Sequence, residues 1–277
     1  TFGGLIITAG GSTIKGLKIN SSSGNGLTLS STGNNNISFN QISGISIGSQ
    51  GNNINSNTIT GSIGSGISIL AGAINNLIGT TSANTITGNA GYGISVLDAN
   101  GNQISNNTIG NNGLGGIFIS NSSGPVTGNM VTGNSGFGIS IDSSATNQIN
   151  NNVVRTNTLG GISISNSTGS ILENTVTQNQ GAGIFLNNAS GNTLSGNIVS
   201  ENSGLGIYIS AGTGNQITNN SVGANTLGGI SVSTGSATLD GNIVSGNLLY
   251  GISLEASNNN IISENEISDN TSQGIII

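Results

Sequence analysis

One phrase recurs along the chain at a nearly constant interval. Gly-Ile-x-(Ile/Val/Leu) begins at Gly44, Gly66, Gly93, Gly116, Gly138, Gly161, Gly183, Gly206, Gly229, Gly251 and Gly274, and from Gly93 onward each step is 22 or 23 residues. A second phrase, (Ile/Leu/Val)-x-x-Asn-x-(Ile/Val)-x-x-Asn, falls between the first. Its first asparagine is Asn107, Asn129, Asn152, Asn174, Asn197, Asn220, Asn242 and Asn265. Its second is Asn112, Asn134, Asn157, Asn179, Asn202, Asn225, Asn247 and Asn270. A period this short, made of brief alternating apolar segments punctuated by Asn and Gly, is that of a parallel β-solenoid; helical repeats are longer and need alanine, leucine and charge.

The period predicts an all-β chain of about twelve stacked coils of 22–23 residues, three short strands per coil, continuous over 1–277. Stacked at the ~4.8 Å spacing of paired strands, twelve coils make a rod roughly 50–60 Å long. One coil carries too few aliphatics to offset the ordering of its own backbone, so each must lean on its neighbours. From Ile104, Val126, Ile149 and their equivalents to the next repeat glycine is always 12 residues, whereas the return is 10 or 11. Only that corner accepts an extra residue, and the longer form has asparagine there (Asn102, Asn147, Asn192, Asn215, Asn260). Two coils break the rule. Ile37 to Gly44 spans 7 residues and Leu77 to Gly93 spans 16; a clipped corner and a bulged loop are expected near 37–44 and 77–93, each a place where a ligand groove can open.

Asparagine is expected to turn the corners in the left-handed conformation and to stack in amide ladders coil on coil. The repeat glycine is expected where a side chain would clash or φ is positive. Just before it, large and small residues trade places (Gly91-Tyr92 and Gly136-Phe137, but Leu114-Gly115 and Leu159-Gly160), which reads as one plug per corner over the end of the core.

Composition narrows function. Three cations (Lys15, Lys18, Arg155) against nine acids give a net charge of −6, and no basic stripe for nucleic acid can be built from them. No apolar run approaches the ~20 residues of a membrane helix. With no cysteine there are no disulfides or thiolate metal sites. The chain opens at Thr1-Phe2 without methionine and ends inside a repeat at Gly274–Ile277, so an excerpt or mature part of a longer protein is expected.

The segments "NTITGNAGYGISV" (84–96) and "NIVSGNLLYGISL" (242–254) resemble the repeats of right-handed parallel β-helix proteins of the pectate-lyase-like superfamily, NosD-type proteins among them. The resemblance covers nearly the whole chain. It implies, together with the rule for parallel crossovers, a right-handed solenoid. It also implies a secreted or cell-surface bacterial setting and, for many members, carbohydrate binding or cleavage. Lyases of this superfamily are expected to pair calcium-holding carboxylates with an arginine or lysine base, hydrolases to use two or three close carboxylates, and uronate epimerases a stretch with tyrosine and histidine.

This chain has no histidine and one arginine, and its carboxylates fall mostly in separate columns. The exception is Asp240 with Glu264, Glu266 and Asp269, one coil apart, where Glu264 and Glu266 are read as sharing one side of a strand; this is the one place for a weak Ca2+ site. No other cofactor is implied. "GISIG" (44–48) matches a nucleophile-elbow pattern, but Ser46 shares an outward column with Ser68, Ser95 and Ser140 and has no base. Phe118, Phe185 and Tyr208 replace serine in that column. Phe185 and Tyr208 lie on adjacent coils, so their rings are expected to stack and can hold sugar faces. The expected function is therefore a structural or adhesive solenoid that self-associates end to end or side by side, or holds polysaccharide. The alternatives are a carbohydrate-active enzyme, lyase or hydrolase, and a passive carbohydrate-binding module.

Overall fold

Alternation along each short segment decides which side chains enter the interior. A computed structural model describes residues 4–277 and contains strands, turns and no helix. Each regular coil supplies three strands, named here by wall. In the coil around residue 110, wall A is Gln103–Ser105, wall B is Thr108–Gly110 and wall C is Gly115–Ser120. Ile104, Ile109, Ile117 and Ile119 point inward and are at most 3% exposed. Every neighbouring pair is parallel, as in Ile94↔Ile117↔Ile139 along wall C, and the register shifts only between Gly212 and Asn215, where Leu205–Thr218 meets Gly228–Asp240. Wall B is a separate 12-stranded sheet. Walls A and C merge into one 23-stranded sheet, because Leu205–Thr218 and Gly228–Asp240 run through the corner between them unbroken. The result is a right-handed parallel β-solenoid of about twelve coils.

Asparagine does take the left-handed corner position in many coils, but the ladder asparagines do not turn the corners themselves. The left-handed residue lies one position earlier: Asn106 (φ 60°) before Asn107, Asn111 (φ 53°) before Asn112, Thr156 (φ 55°) before Asn157, Glu201 (φ 58°) before Asn202. That position accepts Asn, Gly, Thr, Gln, Glu, Ala or Asp, because its side chain points to solvent. The turn it makes aims the following asparagine inward, where bonding rather than φ preference selects the amide. Asn152 is fully buried. Its Oδ1 accepts from the Asn129 backbone N–H (2.9 Å) and from Asn129 Nδ2 (3.0 Å). Its Nδ2 donates to the carbonyls of Val126 and Asn150 and to Asn174 Oδ1. A buried amide is tolerated only when satisfied in this way. The ladder at corner AB runs without interruption from Asn40 through Asn57 and Asn84 to Asn265. At corner BC a second runs from Asn89 to Asn270.

The repeat glycine is required by space. A β-carbon on Gly66 would lie 2.6 Å from Ile86 Cγ2, one on Gly251 2.6 Å from Ile267 Cγ2, and the same wall-B methyl fills this space in the coils between. In the regular coils φ there is not left-handed, so the constraint is steric. Leu114, Leu159 and Leu227 do not plug the core. They are 48–57% exposed at corner BC, because the bend at the repeat glycine leaves the residues before it outside the cavity.

The two irregular coils are located differently from each other. In the first, Ile42 and Ile45 both enter the core and only Ser43 and Gly44 join them, so the clip is at corner BC. In the second, the inward residue is Ile78, which pairs with Ile104, and not Leu77, which pairs with Gln103. The extra residues form a bulge at corner AB before Asn84, where the backbone N–H groups of Thr81 and Ser82 donate to Asn55 Oδ1.

Candidate functional site

Wall C presents the most distinctive outer surface. The column through Thr28, Ser46, Ser68, Ser95, Phe118, Ser140, Ser163, Phe185, Tyr208, Ser231 and Ser253 is continuous in register. Phe185 and Tyr208 stack with centroids 5.2 Å apart and planes 9° from parallel. Phe118 also stacks, against Tyr92, at 4.9 Å and 15°. Each such pair is worth about 0.5–1.5 kcal/mol beyond its area. The serines beside the rings, Ser95, Ser163 and Ser231, are 4–8% exposed, so the rings cover the sheet as well as facing solvent. Ser46 is likewise buried in this column.

Tyr92 belongs to a parallel column two residues before the wall-C isoleucine, with Gly115, Phe137, Gly160, Leu205, Gly228 and Tyr250. The trading of large and small residues has its cause here. A β-carbon at Gly115 would be 3.1 Å from the Tyr92 ring, one at Gly160 2.7 Å from the Phe137 ring, and one at Gly228 2.7 Å from the Tyr250 ring. Each ring lies across the glycine of an adjacent coil. Of the chain's five phenylalanines and three tyrosines, six (Tyr92, Phe118, Phe137, Phe185, Tyr208, Tyr250) stand half-exposed on this one face. Phe2 lies outside the described residues, and Phe39 stands at corner AB with Lys15 Nζ 5.0 Å from its ring centre. In the sequence Tyr92, Phe137 and Tyr250 are marked only by the large-small exchange before the repeat glycine, which places them on this face and not over the end of the core.

At the downstream edge of wall C, corner CA is polar. Where a longer coil stands beside shorter ones the edge is notched. One notch of about 300 Å³ is lined by Asn100, Asn121, Ser123, Ser143 and Thr146, and a second of about 310 Å³ by Gln148, Thr168 and Ser170. Neither is at the clip or the bulge. Asn121 Nδ2 donates to Asp98 Oδ1, and Asn166 Nδ2 to Asp142 Oδ1.

The four C-terminal acids are not brought to one point. Asp240 ends a wall-A segment and accepts from the Ser263 hydroxyl. Glu264 is the left-handed residue at corner AB and Asp269 that at corner BC. Glu266 faces out from wall B opposite Ile243. Glu264 and Glu266 therefore flank the inward Asn265 instead of sharing a strand. Among the described residues no three acids are grouped so as to hold a metal ion.

The profile of the right-handed β-helix region matches residues 3–154, 43–197 and 160–277, together almost the entire chain. The chain belongs to the right-handed β-helix family. Solved members show the same fold at low identity. The mannuronan C-5 epimerase AlgE4 A-module of Azotobacter vinelandii superposes with a TM-score of 0.65 at 16% identity, over 98% of this chain and 88% of that one. The periplasmic alginate epimerase AlgG gives 0.64 at 17%, over 89% and 70%. A family 28 exopolygalacturonase of Yersinia enterocolitica gives 0.53 at 8%, over 92% and 73%. No curated protein sequence matches the chain. The β-helix assignment accounts for the core, the ladders and the glycines. It does not account for six rings gathered on one wall.

Proposed function

We propose that this β-helix is a non-catalytic structural and adhesive rod of a secreted or cell-surface protein, which holds carbohydrate on the outer face of wall C. The carrying observation is the concentration of six half-exposed rings on that wall, two pairs of them stacked. Flat rings fit the C–H faces of sugars. The serines and asparagines beside them offer the hydroxyl and amide groups that orient such ligands. The face is already formed, so binding needs little ordering. The reading requires no resident cofactor. The carbohydrate-acting proteins among the structural neighbours fit a polysaccharide partner, and the periplasmic setting named for one of them fits a location outside the cytoplasm.

Self-association is part of the rod reading. Leu114, Leu159, Leu227 and Leu249 stand exposed along corner BC on a surface with little charge to keep copies apart. Sedimentation at high concentration tests it, and a strict monomer counts against this part. The alternative, a carbohydrate-active enzyme, is favoured by the same structural neighbours; depolymerisation or epimerisation of polysaccharide by the purified chain would establish it. For the main reading, the test is glycan binding by the wild type and by two double variants, Tyr92→Ala/Phe118→Ala and Phe185→Ala/Tyr208→Ala. Each double variant is expected to lose at least tenfold in affinity. Binding indifferent to both would remove the aromatic face from the function.

A further inference from the structure

The charges of the molecule are not distributed evenly around wall C. We infer that the aromatic face takes a neutral polysaccharide, and that acidic polysaccharides of the kind named for its structural neighbours are excluded from it. The inference rests on the glycan-holding reading above and adds the class of glycan.

The observation is one of placement. None of the three cations is on wall C: Lys15 ends a wall-A strand, Lys18 faces out from wall B, and Arg155 is the last outward residue of wall B before corner BC. Five of the nine acids sit at its two edges. Asp98, Asp142 and Glu255 line the edge toward corner CA, and Glu201 and Asp269 turn corner BC on the other side. Between these edges the outward columns hold rings, serines, asparagines and glycines, with a few aliphatics such as Leu97 and Leu205.

Distance makes this arrangement selective. Asp98 accepts from Asn121, which is three residues beyond Phe118, roughly 10 Å along a strand. That is about one screening length at 0.1 M salt, so a uronate chain lying on Phe118 and Tyr92 would feel the carboxylate. A second like charge waits at Asp142, one coil on. Along such a chain the repulsions recur, and no cation on the face offsets them. A neutral sugar has the opposite experience. Its ring lies on Phe118 or Tyr208, and its hydroxyls donate to carboxylate, serine and amide oxygens at the edge. The low charge of the whole face then removes any need for salt-dependent steering.

The test is affinity electrophoresis of the whole chain in gels containing hydroxyethylcellulose, galactomannan, alginate, polygalacturonate or chitosan, at low salt and at 0.5 M salt. Retardation by at least one neutral gel is expected, changing less than twofold with salt, with none by alginate or polygalacturonate. The variant Asp98→Asn/Asp142→Asn is expected to gain retardation by alginate at low salt. Stronger retention by an acidic gel, abolished by Phe185→Ala/Tyr208→Ala, would overturn the inference while leaving the aromatic binding face intact. Strong chitosan retention that salt removes would overturn it in the other direction. Retardation by no gel, or equal retardation of wild type and aromatic variants, would sink both the inference and the reading beneath it.

Discussion

Corners AB and CA stack buried asparagines in the same way, yet only one ladder is continuous. At AB every coil from Asn40 to Asn265 contributes its amide. At CA the ladder runs through Asn35, Asn52, Asn76 and Asn102 and then breaks, with Gly124, Gly169 and Ala237 standing where an amide would be. Chain length differs in parallel. In every regular coil five residues separate the wall-A core position from that of wall B, as in Ile104 to Ile109, while the path through CA varies by one. A ladder needs each amide at the same depth. In two of the shorter coils the backbone is drawn into the space of the side chain, so a β-carbon at Gly124 or Gly169 would run into the carbonyl of Asn102 or Asn147, while at Ala237 the short path admits a methyl group but no amide. The Gly124 N–H still donates to Asn147 Oδ1 at 3.1 Å, but Asn192 Oδ1 is left without a partner. Constant length and an unbroken ladder are one property. Where length is free, the surface gains notches and loses amide bonds.

The sharpest way to break the comparison is at AB. Asn152→Ala removes the acceptor of two Asn129 donors and the donor to three oxygens. Unpaired buried groups cost roughly 1–3 kcal/mol each, and the expected loss is about 4 kcal/mol. It should appear as a large fall in the guanidinium midpoint. A loss below about 1 kcal/mol would mean that water satisfies the corner and the ladder is incidental.

Gly169→Asn tests whether length is the cause. It restores the ladder residue without restoring the length. Its β-carbon has no room, so a destabilisation of about 1–3 kcal/mol from overpacking is expected. Adding one residue after Thr168 to the same variant should recover most of that loss. If Gly169→Asn alone stabilises the chain, the break at CA is an accident of sequence and not of length.

Much of this was legible beforehand, and the boundary has a physical reason. Residues one period apart share a column, so Ile104, Ile109 and Ile117 could be placed inside and Asn107 and Asn112 in ladders from spacing alone. Phe185 and Tyr208 could be stacked for the same reason. A period does not say which way a column points at a corner, because that depends on the φ of the residue before. Spacing therefore puts asparagine at the corner but does not separate Asn106, which makes the left-handed turn, from Asn107, which joins the ladder, and it does not show that Leu114 is 56% exposed and no plug over the core. The aromatic face was half visible. Phe118 stood out as a ring in a serine column, but its partner Tyr92 sits in a neighbouring column, three positions off in register, where no repeat arithmetic pairs them. The acids near the C-terminus were close in sequence, and the two corners between them carried them apart.

The smallest effect is expected at the broken ladder itself. Asn192 is as buried as Asn152, so burial alone predicts equal damage from alanine. Its bonding predicts otherwise. Its Oδ1 accepts nothing, and its Nδ2 contacts are long, 3.2 Å to Asn215 Oδ1 and to the Ser167 carbonyl and 3.4 Å to the Ser190 carbonyl. Alanine removes an unpaired oxygen along with those weak bonds. Asn215 Oδ1 keeps its 3.0 Å bond from the backbone N–H of residue 192. Ala237, which fills the equivalent place two coils on, is 3% exposed and accepted by its neighbours. Asn192→Ala should therefore cost no more than about 1 kcal/mol, and hydrogen exchange at residue 192 should stay slow. A loss as large as that of Asn152→Ala would show that depth in the core, and not continuity of the ladder, sets the worth of each asparagine.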